Sequence, residues 1–264
     1  MKPALRSTQR LALATAASLL FSSCAMAADS QFLIGGGAAA GARYSGSSET
    51  ALAPVIVLDY SDASGFFASS LRGLGYGSQQ GPLSVSAALG YRGGRKEKDE
   101  HALFGVVGSD RLKGMGDIEG NASALLKVGY QLMPVLDLSL AADIPLSKRD
   151  NGKNVHAGIS GHLLQRDNDK LTLGVAAGFA DRKYAQTYYG VTARQAASSR
   201  FKAYQADSGL YEVNAMLSWE HRIGQRWSLT SMLGANHLLK AAANSPLTER
   251  KTSPTGAVYA SYVY

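Results

Sequence analysis

The sequence predicts an all-β protein, an antiparallel up-and-down transmembrane β-barrel that follows an export signal. Three observations predict this fold. Apolar and polar residues alternate with a period of two over segments of about ten residues, short and long connections alternate along the chain, and aromatic residues gather at segment ends. Because successive side chains of a strand point to opposite faces, each segment has one apolar and one polar face.

The amino-terminal segment has the pattern of an export signal. Lys2, Arg6 and Arg10 form a positive region, residues 11–21 form an apolar run, and Ala25-Met26-Ala27 supplies the small residues that a signal peptidase needs. The apolar run is shorter than the ~20 residues of a spanning helix. The pattern therefore predicts a signal peptide that is removed after export.

This assignment divides the chain into a signal peptide at 1–27 and one barrel domain at 28–264. The single cysteine, Cys24, leaves with the signal peptide, and the alternative is a lipoprotein in which Cys24 is acylated. The formal net charge is +7, of which the signal peptide carries +3, and the remaining +4 (7 − 3) is too mild, with charges of both signs too interspersed, to argue for a nucleic-acid partner. The sequence indicates no cofactor.

The alternating segments fit two architectures, a soluble β-sandwich and a membrane barrel. The segments approach the ~9–11 residues that cross a bilayer at a tilt, whereas sandwich strands centre on ~5–6. Their polar faces are rich in small residues, and aromatic residues lie where interfacial girdles form, which favours the barrel. In the segment 209–221, the apolar face carries Tyr211, Val213, Ala215, Leu217 and Trp219. The aromatic residues at segment ends are Tyr60, Tyr91, Tyr130, Phe179, Trp219, Trp227 and Tyr264.

Connection lengths support about twelve strands, with ten or fourteen as alternatives. Short turns that alternate with long loops are typical of a barrel with periplasmic termini. The predicted strands are 31–40, 52–60, 65–73, 83–92, 100–107, 121–131, 135–145, 155–166, 170–180, 209–221, 227–238 and 255–264. The predicted short connections are 61–64, 93–99, 132–134, 167–169 and 222–226, and the long ones are 41–51, 74–82, 108–120, 146–154, 181–208 and 239–254.

Several motifs together resemble the MipA/OmpV family of outer-membrane proteins. The long loop carries Tyr188-Tyr189-Gly190-Val191-Thr192, followed by Gln195-Ala196, Ser199, Tyr204 and Gly209-Leu210. Weaker similarities are Arg43-Tyr44-Ser45-Gly46-Ser47, Gly114-Met115-Gly116-Asp117 and Ser245-Pro246, and the chain ends on Tyr262-Val263-Tyr264, like the closing strand of outer-membrane proteins. The resemblance covers nearly the whole chain after the signal. Residues 188–189 are Tyr-Tyr, a mild departure from the Tyr-Phe or similar pair that we expect there.

The resemblance implies an outer-membrane scaffold that interacts with a lytic transglycosylase and a murein synthase in the periplasm. It supplies no catalytic residues, and we expect a non-enzymatic protein. A small-solute channel is the first alternative, because a twelve-stranded barrel is wider than the eight-stranded kind that side chains can fill. An outer-membrane hydrolase is the second.

Polar residues that are predicted to face the lumen are candidates for catalytic or metal-binding groups. His156, Ser160 and His162 share one face of one strand, yet residues two apart lie roughly 7 Å apart along it, so lumenal polar packing is the favoured interpretation. We also expect the lumenal carboxylates Asp137, Asp143, Glu212 and Glu220 to pair with Lys127 or Arg92 rather than to act as an acid pair. In the same way, Asp110, Asp117 and Glu119 indicate a solvated loop more than a cation site.

Two basic segments are candidate interaction sites. The run Arg92–Glu100 contains Arg95, Lys96 and Lys98, and the predicted topology places it in a periplasmic turn that could bind an acidic partner or murein. The loop 181–208 either folds into the lumen as a plug or lies against the phosphates of lipopolysaccharide. Its aromatic residues favour inward folding, since they would otherwise expose a large apolar surface. The candidate loop residues are Arg182, Lys183, Tyr188, Tyr189, Arg194 and Tyr204.

Overall fold

The computed structural model describes residues 30–264 except 103–104. The signal peptide predicted at 1–27, with Cys24, lies outside the described residues. No helix in the described part of the chain is both long enough and apolar enough to span a membrane.

Twelve antiparallel strands form a closed barrel in which each strand pairs with its neighbours along the barrel sheet. The first strand closes the barrel by pairing with both the second strand and the last one. The barrel strands are β1 (Gln31–Ala42), β2 (Thr50–Ser61), β3 (Phe66–Ser69), β4 (Gly73–Gln80), β5 (Leu83–Arg92), β8 (Asn121–Met133), β9 (Leu136–Pro145), β10 (Asn154–Gln165), β11 (Asp169–Ala180), β12 (Gly209–Ile223), β13 (Trp227–Leu238) and β14 (Thr252–Val263). A separate hairpin pairs β6 (Glu100–Ala102) with β7 (Gly105–Val107).

The outer face of the barrel is a belt of exposed apolar side chains. Leu52 is 72% exposed, Leu233 is 68% exposed, and the outward positions of most strands carry a similar residue. A soluble sandwich would bury these side chains between two sheets, so the closed barrel rules out that alternative. The belt is the surface that a hydrocarbon layer covers. Other members are Ile34, Ile56, Leu58, Leu74, Val85, Leu89, Leu126, Val128, Leu140, Ile159, Leu163, Leu173, Val175, Leu217 and Val258.

The inner face carries small residues together with a few paired charges. The guanidinium of Arg92 lies 2.8 Å from the Asp143 carboxylate, which confirms the expected pairing for Asp143, whereas Asp137 and Glu212 contact His162 and His156 instead. A second pair joins Arg72 to Asp59 at 2.5 Å. Both pairs keep charge neutral in a space where an unpaired charge would be costly.

The barrel has two different ends. The turn end holds Ser30, the first described residue, the carboxyl-terminal Tyr264 and the short turns 62–65, 81–82, 134–135, 166–168 and 224–226. The loop end holds the connections 43–49, 70–72, 93–120, 146–153, 181–208 and 239–251. The alternation predicted from connection lengths is present except at 70–72, a loop-end connection as short as the turns, and two predicted segments lie elsewhere in the topology.

The predicted strand at 100–107 is wrong, and so is the predicted loop at 74–82. The segment 100–107 forms the small β6–β7 hairpin within the loop 93–120, while 73–80 forms the barrel strand β4. The glycines of β4 hid this strand from the sequence pattern. A Cβ at Gly75 would clash with the backbone of Ala87 and Ala88 on β5, so close strand packing requires a residue without a side chain there. The two errors compensate, which leaves the count at twelve.

The location of Tyr211 also differs from the prediction. The register between β11 and β12 shifts at Gly178/Phe179, and this β-bulge places an additional residue in β12. As a result Tyr211 and its neighbour Glu212 are both buried, instead of lying on opposite faces. Tyr211 therefore contributes to the interior of the loop end rather than to the lipid-facing belt.

Two neighbouring glycines on β1 give a matched test of the closing seam. Gly37 lies opposite Tyr259 of β14, and a Cβ at Gly37 would clash with the Val258 carbonyl and with Tyr259, whereas a Cβ at Gly36 would meet only the Val55 carbonyl at 3.8 Å. We expect Gly37→Ala to lower the free energy of unfolding by roughly 1–3 kcal/mol through overpacking, and Gly36→Ala to leave it unchanged. Urea unfolding, followed by the gel mobility of unheated samples, measures both. Equal midpoints for the two variants would contradict this account of the seam.

Candidate functional site: the loop-end cap

Four loops at the loop end, 43–49, 93–120, 181–208 and 239–251, pack together over the barrel mouth, and we call this assembly the cap. The loop 181–208 supplies two helices, α1 (Arg182–Tyr189) and α2 (Ala193–Ser198), and the loop 239–251 supplies α3 (Lys240–Ala243). Local signals start both helices of the longer loop. The Asp181 side chain accepts a hydrogen bond from the Tyr184 backbone N–H, and Thr192 with Gln195 forms a capping box.

The inner layer of the cap is a cluster of tyrosines that reaches the strands. The Tyr184 ring lies 4.5 Å from Tyr188 and 5.3 Å from Tyr211, and Tyr189 lies 6.0 Å from Tyr211. The Arg92 guanidinium lies 5.2 Å from the Tyr184 ring centre, in cation–π geometry. Burial raises the pKa of Tyr184 and of Tyr189 above the ordinary value, which keeps both phenols neutral.

The outer layer of the cap is an apolar cluster to which every cap loop contributes. Its members are fully or almost fully buried, so they form a small core of their own outside the barrel wall. Such a core fixes the loops relative to one another, because loops without buried apolar contacts fluctuate. The cluster consists of Tyr44, Leu112, Met115, Val191, Phe201 and Leu247.

One carboxylate of the loop 239–251 connects this loop to the other three cap loops at their surface. The Glu249 side chain lies 2.9 Å from both Arg111 and Arg200, and it accepts a hydrogen bond of 2.6 Å from the Ser48 hydroxyl. Partial burial alone would raise the pKa of Glu249, but the hydrogen bonds from Ser48 and Arg111 outweigh it and lower the pKa to about 2. Glu249 is therefore ionised at neutral pH and holds the loops together.

The basic run at 92–100 belongs to this cap and not to a turn beside the termini. Arg95 is half-buried and donates a hydrogen bond of 3.0 Å to the Tyr188 carbonyl oxygen. Lys96 pairs with Asp117 at 2.6 Å, and Lys98 is exposed. The predicted placement was wrong because it counted 100–107 as a spanning strand, which transferred the run to the opposite end of the barrel.

The candidate residues of the loop 181–208 divide between the interior and the surface of the cap. Tyr188 and Tyr189 belong to the inner cluster, and the Tyr204 hydroxyl donates to the Ala241 carbonyl oxygen at 2.9 Å. Lys183 pairs with Asp150 at 2.8 Å, while Arg182 and Arg194 are exposed. The loop thus reaches into the barrel mouth with its tyrosines and turns its cations outward.

Comparison with known proteins gives one family. The family model described as "MltA-interacting protein MipA" matches residues 34–264. The chain belongs to the MipA family. Membership in this family, together with the closed barrel and its apolar belt, places the chain in the outer membrane. No curated protein matches the chain.

Solved outer-membrane proteins share the barrel at low sequence identity. The CymD monoaromatic hydrocarbon channel is 11% identical, with a TM-score of 0.40, over 91% of this chain and 89% of that chain. The channel DcaP of Acinetobacter baumannii is 10% identical, with a TM-score of 0.41, over 89% and 96%. An anion-selective porin from Comamonas acidovorans is 10% identical, with a TM-score of 0.35, over 89% and 98%.

The motifs that carry the MipA resemblance are far apart in sequence and meet in the cap. The Ser45 hydroxyl shares a hydrogen bond of 2.8 Å with the Tyr189 hydroxyl, and the Ser245 hydroxyl donates to the Tyr189 carbonyl oxygen at 2.6 Å. From α2, the Gln195 side-chain amide donates to the Met115 carbonyl oxygen at 2.7 Å. The residues of the family motifs therefore mainly form contacts within the cap.

The lumenal histidines have other partners than the serine considered as a nucleophile. His156 Nε2 lies 2.9 Å from the Glu212 carboxylate and 3.2 Å from the Tyr211 hydroxyl. His162 bonds Asp137 at 2.9 Å. Among the described residues no hydrogen bond joins Ser160 to either ring, so the arrangement is a polar network between strands and lacks an activated serine.

The acidic residues of the loop 93–120 are each bound to protein groups. Asp110 accepts from the Asp99 backbone, Asp117 accepts from Lys96, and Glu119 pairs with Lys148. Within the described ranges, no group of three acidic, histidine or cysteine side chains is placed to hold a metal ion.

Acidification should loosen the cap through Glu249. Because the folded-state pKa lies below the ordinary 4.5, the ionised carboxylate stabilises the cap above about pH 4.5, and this contribution is lost as the pH falls from about 4.5 to about 2. We expect the near-ultraviolet circular dichroism of the tyrosines to weaken in that window while the far-ultraviolet strand signal persists. In Glu249→Gln the tyrosine signal should be weaker already at pH 7 and should change less in the acid window.

Asp150→Asn supplies the matched control, since Asp150 forms a single ion pair with Lys183 at the exposed surface. Exposed pairs contribute little, so this variant should titrate like the unmodified protein. An identical acid transition in Glu249→Gln and in the unmodified protein would show that Glu249 does not stabilise the cap.

Proposed function

We propose that the protein is a non-enzymatic scaffold of the outer membrane that binds murein-processing enzymes at its turn end. The name of the matching family, MltA-interacting protein, supports a lytic transglycosylase as one partner. The observation that supports the proposal most is the cap. A barrel with one end covered by packed loops is suited to presenting a binding surface at its other end rather than to passing solutes.

The extent of the cap favours a scaffold over an open pore. Buried side chains from four loops meet in its outer layer, and its inner layer contacts Tyr211 and Leu238 of the barrel wall. Ion pairs and hydrogen bonds then join these loops around Glu249 and Tyr189. A solute that entered from the loop end would have to displace contacts that are distributed over most of the barrel circumference.

The turn end offers the surface for a periplasmic partner if the termini lie in the periplasm, as we propose. The turns 166–168 and 224–226 lie side by side, joined by a hydrogen bond of 2.7 Å from the Arg222 backbone to the Asn168 carbonyl oxygen. Arg166 and Arg222 are exposed there. Exposed cations at the rim of an interface raise the association rate with an acidic partner.

A channel for small solutes is the second candidate, and the composition of the lumen favours it. The inner face is lined by small and polar residues with two ion pairs, as in water-filled barrels. A lumen of this kind conducts if the cap leaves a path or opens.

Partner capture separates the two ends of the barrel. We expect the protein in lipid nanodiscs to retain a lytic transglycosylase and a murein synthase from periplasmic extract, identified by antibody. Replacing Arg166 and Arg222 by alanine should weaken capture about tenfold, because two rim charges are lost. Replacing Lys96 and Lys98 removes the same charge from the loop end and should have no effect. Capture that depends on Lys96 and Lys98 instead would reverse the proposed orientation.

Planar-bilayer recording decides between scaffold and channel. We expect the unmodified protein to show no steady current, because the cap covers the lumen, and Glu249→Gln to show brief openings, because its cap loops lose two ion pairs. Steady ohmic current of equal size from both proteins would favour the channel and contradict the scaffold.

A further inference from the structure

Arg95 differs from the other arginines that contact the cap interior. Arg43, Arg92, Arg111 and Arg200 each have a carboxylate within 4 Å. Among the described residues Arg95 has no such carboxylate, and its guanidinium donates one hydrogen bond, to the Tyr188 carbonyl oxygen. A guanidinium has five N–H donors, so most of its donor capacity is left for another acceptor.

The backbone around Arg95 holds this cation in place. The Arg95 N–H donates to the Ile118 carbonyl oxygen at 2.9 Å, and the Ile118 N–H donates back to the Arg95 carbonyl oxygen at 2.8 Å. A Cβ at the preceding Gly94 would clash with the Ile118 carbonyl, so the two segments are in close contact. The main chain of Arg95 is therefore fixed, and the hydrogen bond to the Tyr188 carbonyl oxygen orients its guanidinium.

Three tyrosines of the cap lie near Arg95. Tyr188, Tyr44 and Tyr189 are the residues whose phenols act on its charge, and burial lowers the pKa of Arg95 to about 10, so it stays protonated at neutral pH. The Tyr44 side chain is 4% exposed, and its hydroxyl, like that of Tyr188, is buried. Ser47 lies near the first hydroxyl and Arg92 near the second, but neither hydroxyl has a well-formed hydrogen bond to a described residue.

We propose that Arg95, with the hydroxyls of Tyr44 and Tyr188, binds a small oxyanion, a carboxylate or a phosphate group, within the cap. The guanidinium matches the two oxygens of such a group, and neutral phenols donate hydrogen bonds to it. Fixed positive charge and buried donors exclude a cation. The buried surroundings select a small group, since Tyr44 and Tyr189 are almost wholly enclosed.

This arrangement also accounts for a cost that the fold otherwise carries. Buried hydroxyls without partners destabilise a folded protein, and a half-buried guanidinium without a counter-ion loses part of its hydration without a full replacement. One bound oxyanion satisfies all three groups together. The site then connects cap closure to the presence of a ligand, because Tyr188 lies on the helix α1, Tyr44 in the loop 43–49 and Arg95 in the loop 93–120.

Calorimetric titration of the purified full barrel in detergent tests the site. Sodium phosphate, sodium acetate and dihexanoyl phosphatidic acid are the probes, at constant ionic strength set by sodium chloride. We expect saturable binding of at least one probe. Free phosphate or acetate binding assigns the site to a soluble anion, and binding of the phosphatidic acid alone assigns it to a lipid headgroup. Absence of saturable binding by all three probes overturns the proposal.

Variants separate the site from general attraction to a basic protein. Arg95→Gln should raise the dissociation constant at least about tenfold, because a charge-assisted hydrogen bond is lost, and Arg95→Lys should keep part of the affinity. Arg182→Gln removes an exposed cation of the cap surface and should bind like the unmodified protein. Equal loss in Arg95→Gln and Arg182→Gln would overturn the proposal.

Two conservative variants keep the test valid if Arg95→Gln misfolds. Tyr44→Phe and Tyr188→Phe each delete one hydroxyl and keep the ring in its cluster. Both should fold with unchanged or slightly raised thermal stability, because the deleted hydroxyl has no well-formed hydrogen bond among the described residues, and both should weaken anion binding several-fold. Unchanged anion affinity in both phenylalanine variants would show that the hydroxyls are not part of a site.

Discussion

Each backbone amide in the hydrocarbon layer must find its hydrogen-bond partner within the protein, and this requirement shapes the whole molecule. The chain meets it by closing the sheet, with β1 bonded to β2 on one side and to β14 on the other. Closure in turn requires close strand contact, which is why glycine lies at Gly37 and Gly75, where a Cβ would clash with a neighbouring strand. The hydrocarbon layer also explains the apolar belt, since outward side chains contact lipid and inward side chains contact each other.

The cap solves a different problem, the ordering of long loops in water. Loops seldom order themselves, because the conformational entropy that they lose is large. Here four loops share one apolar cluster, and their backbone groups are satisfied across the cluster, as when Tyr189 accepts from Ser245 and Met115 accepts from Gln195. The cap thus has the properties of a small independent core. Its surface is joined by the ion pairs of Glu249 with Arg111 and Arg200, which respond to pH.

The sequence predicted the barrel well because a period of two and the ends of strands are local signals. It failed where glycine alternates along a strand, as in β4, and where an apolar stretch forms a hairpin outside the barrel sheet, as in β6 and β7. The inward position of Tyr211 escaped prediction because a bulge depends on the partner strand. The cap could not be derived residue by residue, since its contacts join positions such as Ser45 and Tyr189. The aromatic content of 181–208 nevertheless predicted that this loop turns inward.

The position of the basic run at the loop end bears on which partners each end of the barrel can bind. The sequence predicts that the basic run at 92–100 is a periplasmic turn. In the structure the run belongs to the cap, where Arg95 contacts Tyr188 and Lys96 contacts Asp117. Charges that are engaged within a fold contribute less to recognition than charges that remain free at a rim. The two ends of the barrel therefore suit different ligands. The turn end offers exposed cations to a macromolecule, while the cap holds Arg95, the cation of the proposed anion site.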